Sequence, residues 1–407
     1  MKTGVDRPRA FTLTELIVVI GLIVLLLAIA VPSFSAMVRS SDRTLAESQL
    51  RVALATARDL AISAGAGHGG SGRGDAAAVF FFDQGGRVRV VPCIQVGTLN
   101  DWVRLSLGND PRNRIERDIF VPAPLVEPVR IPRGWSVRGY APAGTLDTGR
   151  IFTWNGWYEP NNDRRFDVNR GNWVFPETDF FNPAGVGLDG AAAAPGDDPA
   201  LAQAGGVDSS GSNRQTFMVR FEAGTGNLAI ASRGQALVVA PSTAVGFRST
   251  RAPYRDYRID RAADPEQFVR QILAPRPDFS NDINGMTKRM NLIGDESVDT
   301  VLVRPVTELA LYDERLLAAG VGATAVNPAT GTLYGTRNRS RSWPTSPTYD
   351  LSLFRVPQPN GLELTNRVND WIEGRPITAL GNRQVPSEAR LFVLQRGGGQ
   401  LREVTQQ

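Results

Sequence analysis

Residues 7–32 read RPRAFTLTELIVVIGLIVLLLAIAVP, and the organisation of the chain turns on them. From Phe11 to Val31 the only charge is Glu15. A helix of about 21 residues rises about 30 Å, the thickness of a bilayer's hydrocarbon core. Ahead of it, MKTGVDRPRA carries Lys2, Arg7 and Arg9 against Asp6, a net charge of 3 − 1 = +2. Basic residues before an apolar span predict a cytoplasmic N-terminus, with the rest of the chain across the membrane. Glu15 is the residue that an ordinary apolar anchor does not need. A carboxylate inside such a run is costly and points to a function, the bland alternative being an acid that snorkels to the interface. A second boundary is legible in Ala28-Ile29-Ala30, which has the A-x-A form of a secretory cleavage site. The apolar run is longer than a signal peptide's usual core, and Glu15 interrupts it, so the retained helix is the preferred reading.

Beyond Pro32 the text is SFSAMVRSSDRTLAESQLRVALATARDLAISAG, free of Gly and Pro until Gly65. Leu50, Ala53, Leu54, Ala57, Leu60, Ala61 and Ala64 recur every three or four residues and form one apolar stripe. The spacing predicts one helix from Phe11 to about Ala64, roughly 80 Å long, with a kink at Pro32, where a backbone donor is lost.

Arg9-Ala10 followed by Phe11-Thr12-Leu13-Thr14-Glu15-Leu16 and the long apolar run resembles the type IV prepilin signature, shared by type IV pilins and the pseudopilins of type II secretion. Ala10 stands where that family most often has Gly, and Thr14 where it most often has an apolar residue. The resemblance implies cleavage by a prepilin peptidase between Ala10 and Phe11, N-methylation of the Phe11 amine, and assembly guided by Glu15. The helix end Ala53-Leu54-x-x-Ala57-Arg58-x-x-Ala61-Ile62 resembles the GspH/FimT-type minor pseudopilins more weakly. Together these features cover about residues 7–64. They imply an α+β, pilin-like lollipop: a long N-terminal helix, half in lipid and half packed on an antiparallel β-sheet head, with a large C-terminal extension. The organisation expected is a leader at 1–10, a transmembrane segment at 11–34, its amphipathic continuation at 35–64, a β-rich head at 65–245, and an extension or second small lobe at 246–407. The implied partners are prepilin peptidase, other pseudopilins or pilins, an inner-membrane assembly platform and membrane lipid. The implied location is a bacterial inner membrane, single-pass with the head periplasmic, and later a periplasmic filament.

In the head, Ala78–Phe82 and Arg87–Val91 flank a Gly-Gly turn and predict a hairpin. Thr216–Phe221 with Leu228–Ile230 predict a second, and Gln235–Ala240 a further strand. Past residue 250, Pro265–Leu273 and Glu308–Ala319 read as helices, and Val301–Arg304 and Arg390–Gln395 as strands. These two strands either extend the head sheet or build a second lobe.

Composition removes most catalytic chemistry. The 407 residues hold one His and one Cys, which excludes an internal disulfide, Cys-cluster metal sites and any site needing two histidines. With Lys+Arg 45 against Asp+Glu 41 the chain is near charge balance, so nucleic acid is not an expected partner, although a DNA- or surface-binding tip pilin is the alternative within the family. The G-x-G-x-x-G at Gly65–Gly70 follows a helix rather than a strand, the wrong setting for a dinucleotide loop. His68 within it reads as solvated, Arg73-Gly74-Asp75 as a charged loop, and Cys93 as a small packed side chain. Asn161-Asn162-Asp163 and the stretch with Asp189, Asp197 and Asp198 lack calcium-ligand spacing. Trp154-Asn155-Gly156-Trp157-Tyr158 with Trp173-Val174-Phe175 reads as core packing or a partner patch, and Arg337–Arg341 as a solvated loop. No catalytic residue, metal or cofactor is expected.

Overall fold

The computed structural model describes residues 13–65, 74–82, 86–102, 114–124, 126–143, 170–176, 215–230, 236–241, 298–334, 349–377, 380–381, 387–397 and 399–404. The protein is mixed α+β, with an apolar N-terminal helix and two β-sheets. It divides into two compact units, Met1–Ser48 and Gln49–Gln407. Helix α1, Leu13–Gly65, supplies the described part of the first unit and the start of the second, and is helical through Pro32.

In the second unit, α1 buries Leu50, Ala53, Leu54, Ala57, Ala61 and Ala64 of the apolar stripe expected from the 3–4 spacing, while Leu60 is half-buried. The turn at residues 222–227 meets its C-terminal end. Gly224 donates its N–H to the Ala61 carbonyl at 2.9 Å, in the last turns of the helix. Gly226 has φ +65, and a Cβ there would come within 2.7 Å of Ile62. Arg51 lies over the Phe392 ring at 5.9 Å.

The first sheet closes on itself. Its strands are β1 (Ala76–Phe82), β2 (Val88–Trp102), β3 (Arg114–Pro122), β4 (Val129–Arg130), β7 (Gln215–Phe221), β8 (Ala236–Pro241) and β9 (Val298–Pro305). The order is β1-β7-β9-β8-β3-β2-β4, and β1 also pairs β2. Six strands therefore form a ring, which removes the exposed edges of an open sheet. Long β2 makes closure possible: β1 pairs its Val88–Ile94 half, while β3 pairs Cys93–Trp102 around a bulge at Gln95/Gly97. Alternate residues point inward. Ala77, Val79, Phe81, Val91, Cys93, Phe120, Met218, Ala236, Val238 and Val303 form one buried cluster. Phe80 and Phe217 stack outside that cluster, their centroids 4.8 Å apart. Both faces of β1 are buried, which explains its unbroken apolar text.

The second sheet runs β12-β11-β10-β5-β6, from β5 (Trp135–Ala141), β6 (Asn172–Val174), β10 (Glu308–Asp313), β11 (Arg390–Leu394) and β12 (Leu401–Val404). It approaches the ring closely at Gly139, where a Cβ would meet the Phe217 ring at 2.8 Å. Helices α2 (Glu314–Val321) and α3 (Gly361–Ile372) share a core with it around Tyr312, Leu317, Leu364, Val368 and Trp371.

The expected hairpin forms as β1–β2, with Phe82 opposite Val88. Four expectations are corrected. The head sheet is mixed rather than antiparallel, because β3–β8 and β7–β9 pair in parallel; the long connections between those strands leave room for crossovers. The second hairpin reduces to one bridge, Phe221 to Leu228, held by the Glu222 N–H on the Asn227 carbonyl at 2.8 Å and the Ala229 N–H on the Arg220 carbonyl at 2.9 Å. The strand expected at 235–240 forms as β8, but between β9 and β3. The helix expected at Glu308–Ala319 splits into β10 and α2, since β5 and β11 flank Glu308–Asp313 and Asp313 caps a helix beginning at Glu314. Val301–Arg304 lies in β9 of the closed sheet, and Arg390–Leu394 is β11 of the second sheet. The segment 265–273 lies outside the described residues. Both sheets take strands from either side of residue 245: β9 joins the first, and β5 and β6 join the second.

Candidate functional site

The apolar start of α1 is the leading candidate. Leu13–Val31 is long and apolar enough to cross a membrane, with a mean hydropathy of 2.9, and none of it is buried within the protein. Leu16, Ile17, Val24 and Leu27 are each more than half exposed. Each such side chain is worth roughly 1.5–3 kcal/mol when removed from water, so this surface calls for a cover from outside the described chain. Glu15 lies in the first turn, where a carboxylate suits the positive end of the helix dipole. Ala10 and Phe11 lie outside the described residues, and Pro32 lies within α1.

The second unit holds two buried charge centres that sequence reasoning missed. Inside the closed sheet, Arg220 donates Nη1 to Asp118 Oδ2 at 2.8 Å and Nε to Asp75 Oδ2 at 2.7 Å. It also reaches Gln95 Oε1 at 3.3 Å and lies 5.2 Å from the Phe120 ring centroid. Asp75 Oδ1 accepts the Ala223 N–H at 3.0 Å. The acid of Arg73-Gly74-Asp75 is thus engaged internally and ties the start of β1 to the end of β7.

The other centre is Arg138 on β5, 2% exposed. Its Nε donates to the Tyr312 hydroxyl at 2.8 Å, Nη2 to the Tyr334 hydroxyl at 2.9 Å, and Nη1 to the Trp173 carbonyl at 3.0 Å. Rings of Phe175, Tyr312 and Tyr334 surround the guanidinium at 5.1, 5.8 and 5.8 Å. Tyr312 in turn donates to Glu314 Oε1 at 3.3 Å. Burial pushes the Glu314 carboxyl up to about 7, against hydrogen bonds from Ser136 and Tyr312 and the charge of Arg138. Burial also pushes both tyrosines well above their ordinary range, so they stay neutral. Every polar group here is turned inward, an arrangement that orders a core.

Cys93 is fully buried, and burial raises its thiol pKa so strongly that no thiolate forms near neutral pH. Trp173, Val174 and Phe175 are buried, which places that half of the aromatic text in the core. His68, Trp154–Tyr158, Asn161–Asp163, Asp189, Asp197, Asp198 and Arg337–Arg341 lie outside the described residues. Among the described residues, no group of three or more His, Cys, Asp or Glu side chains is placed to hold a metal ion.

Known protein families, curated proteins and solved structures were compared with the chain, and none matches it.

Proposed function

We propose that the chain is a minor pseudopilin or pilin-like structural subunit, without enzymatic activity, of a periplasmic filament in type II secretion or a type IV pilus system. One observation carries the reading: an apolar run follows directly on a basic leader in the sequence, and its described part, Leu13–Val31, is helical, unburied and carries the carboxylate of Glu15. Prepilin peptidase cuts between Ala10 and Phe11, and the new Phe11 amine is methylated. The helix remains as the membrane anchor of a lollipop-shaped subunit, with its N-terminus cytoplasmic and its head periplasmic.

Glu15 guides assembly in this account. A charged acid near the membrane face is costly to desolvate. A neighbour shifted along the filament axis brings its Phe11 ammonium to that acid. Desolvation offsets much of the attraction, so the pair sets register more than stability. Mass spectrometry of the membrane-extracted protein tests the processing step. A chain beginning at methylated Phe11 is expected; one beginning at Met1, or after Ala30, contradicts it and favours an ordinary anchor or signal sequence.

A further inference from the structure

Glu314 is buried at 1% exposure, at the first residue of α2, beside the cap residue Asp313. The carboxyl accepts from Tyr312, whose hydroxyl lies 3.3 Å from Oε1, and from Ser136, while its Oε2 has no hydrogen-bond partner. An ionised carboxylate offers about four acceptor positions and loses stability when they go unused in a buried site. A protonated acid needs fewer partners. The groups facing it are Arg138 from β5, Ser136 beside it on the same strand, Tyr312 and Asp313 from β10, and Tyr334 and Tyr349 beyond Arg138.

We propose that Glu314 is a proton-operated lock on the second sheet: protonated, it holds β10 and the first turn of α2 firmly against Arg138, and ionised, it loosens them. The proposal is independent of the filament reading and concerns only the second unit. Raising the carboxyl from its ordinary 4.5 to about 7 supports it. Because the folded-state value is the higher one, the folded protein holds a proton that the unfolded chain has already released. The stabilisation is full below about 4.5 and is lost as pH rises through about 7. Arg138 stays charged throughout and both buried tyrosines stay neutral, so one proton decides the charge of this centre. Near neutral pH a small change in acidity changes its occupancy.

Hydrogen exchange of the full chain in detergent tests the lock, read on peptides covering β10 and α2 and corrected for intrinsic exchange. Between about pH 5 and about pH 9, opening in the wild type is expected to rise on the order of a hundredfold. In Glu314→Gln, a neutral side chain of the same shape, most of that pH dependence is expected to disappear. Glu308 and Glu373 are also raised by burial but remain in this variant, so residual dependence of wild-type size would assign the effect to them and overturn the proposal. Failure of Glu314→Gln to fold would equally overturn it, because the neutral form is held to be the favoured one. Tyr312→Phe removes the hydroxyl that helps the carboxylate and is expected to move the opening midpoint to higher pH; an unmoved midpoint contradicts the lock.

Discussion

Arg220 donates to Asp118 at 2.8 Å across the interior of the closed sheet, joining β7 to β3, two strands that share no hydrogen-bonded edge. Their side chains are 5% and 3% exposed. The ion pair therefore fixes the ring's cross-section where backbone pairing does not reach. Arg220→Met removes the guanidinium and leaves Asp118 buried without it, a change expected to cost about 3–5 kcal/mol. Urea unfolding measures it. Arg220→Lys is expected to restore little, since one ammonium does not reproduce the fork that reaches Asp118, Asp75 and Gln95. A loss under about 1 kcal/mol in Arg220→Met would show that the pair is dispensable.

Gly320 on α2 lies against the indole of Trp371, and a Cβ added there would meet Nε1 at 2.2 Å. Trp371 is 1% exposed in the α2–α3 core, so the ring has little room to retreat. Gly320→Ala is expected to destabilise the protein by about 1–3 kcal/mol through overpacking, despite alanine's better helix propensity. A thermal melt that rises instead would show that the helices can separate at little cost.

Cys93 faces the interior of the ring among Val91, Phe120 and Met218. The folded protein is expected to resist a maleimide reagent at neutral pH and to react once denaturant opens the sheet. Rapid labelling without denaturant would contradict the closed ring.

Local sequence pattern revealed what local forces decide. The α1 stripe is carried by residues three and four apart on one helix, and the β1–β2 hairpin by two apolar runs around Gly85-Gly86. Glu308–Ala319 misled because its Leu- and Ala-rich text has good helix propensity. Its first half is a strand because β5 and β11 flank it, and Asp313 caps the helix that follows. The buried charge centres were illegible for a related reason: Arg138 and Tyr312 lie 174 residues apart, and Arg220 and Asp118 lie 102 apart. A single sequence does not mark which of its many arginines turn inward. At the N-terminus the opposite holds. The basic leader, Ala10, Phe11 and Glu15 are read from neighbouring residues, and the processing proposed for Ala10 and Phe11 and the assembly role proposed for Glu15 concern other proteins.

Cross-linking at the first turn of α1 tests the central claim most directly. A photo-reactive residue replaces Leu13, which is 76% exposed, in otherwise wild-type protein and in Glu15→Ala at equal membrane abundance. Both proteins are expected to insert, the variant as well or better, because it lacks a membrane charge. The wild type is expected to cross-link to neighbouring pilin-like subunits and the variant to lose most of that yield. Equal yields would contradict assembly through Glu15 and leave it an acid that merely snorkels to the membrane surface.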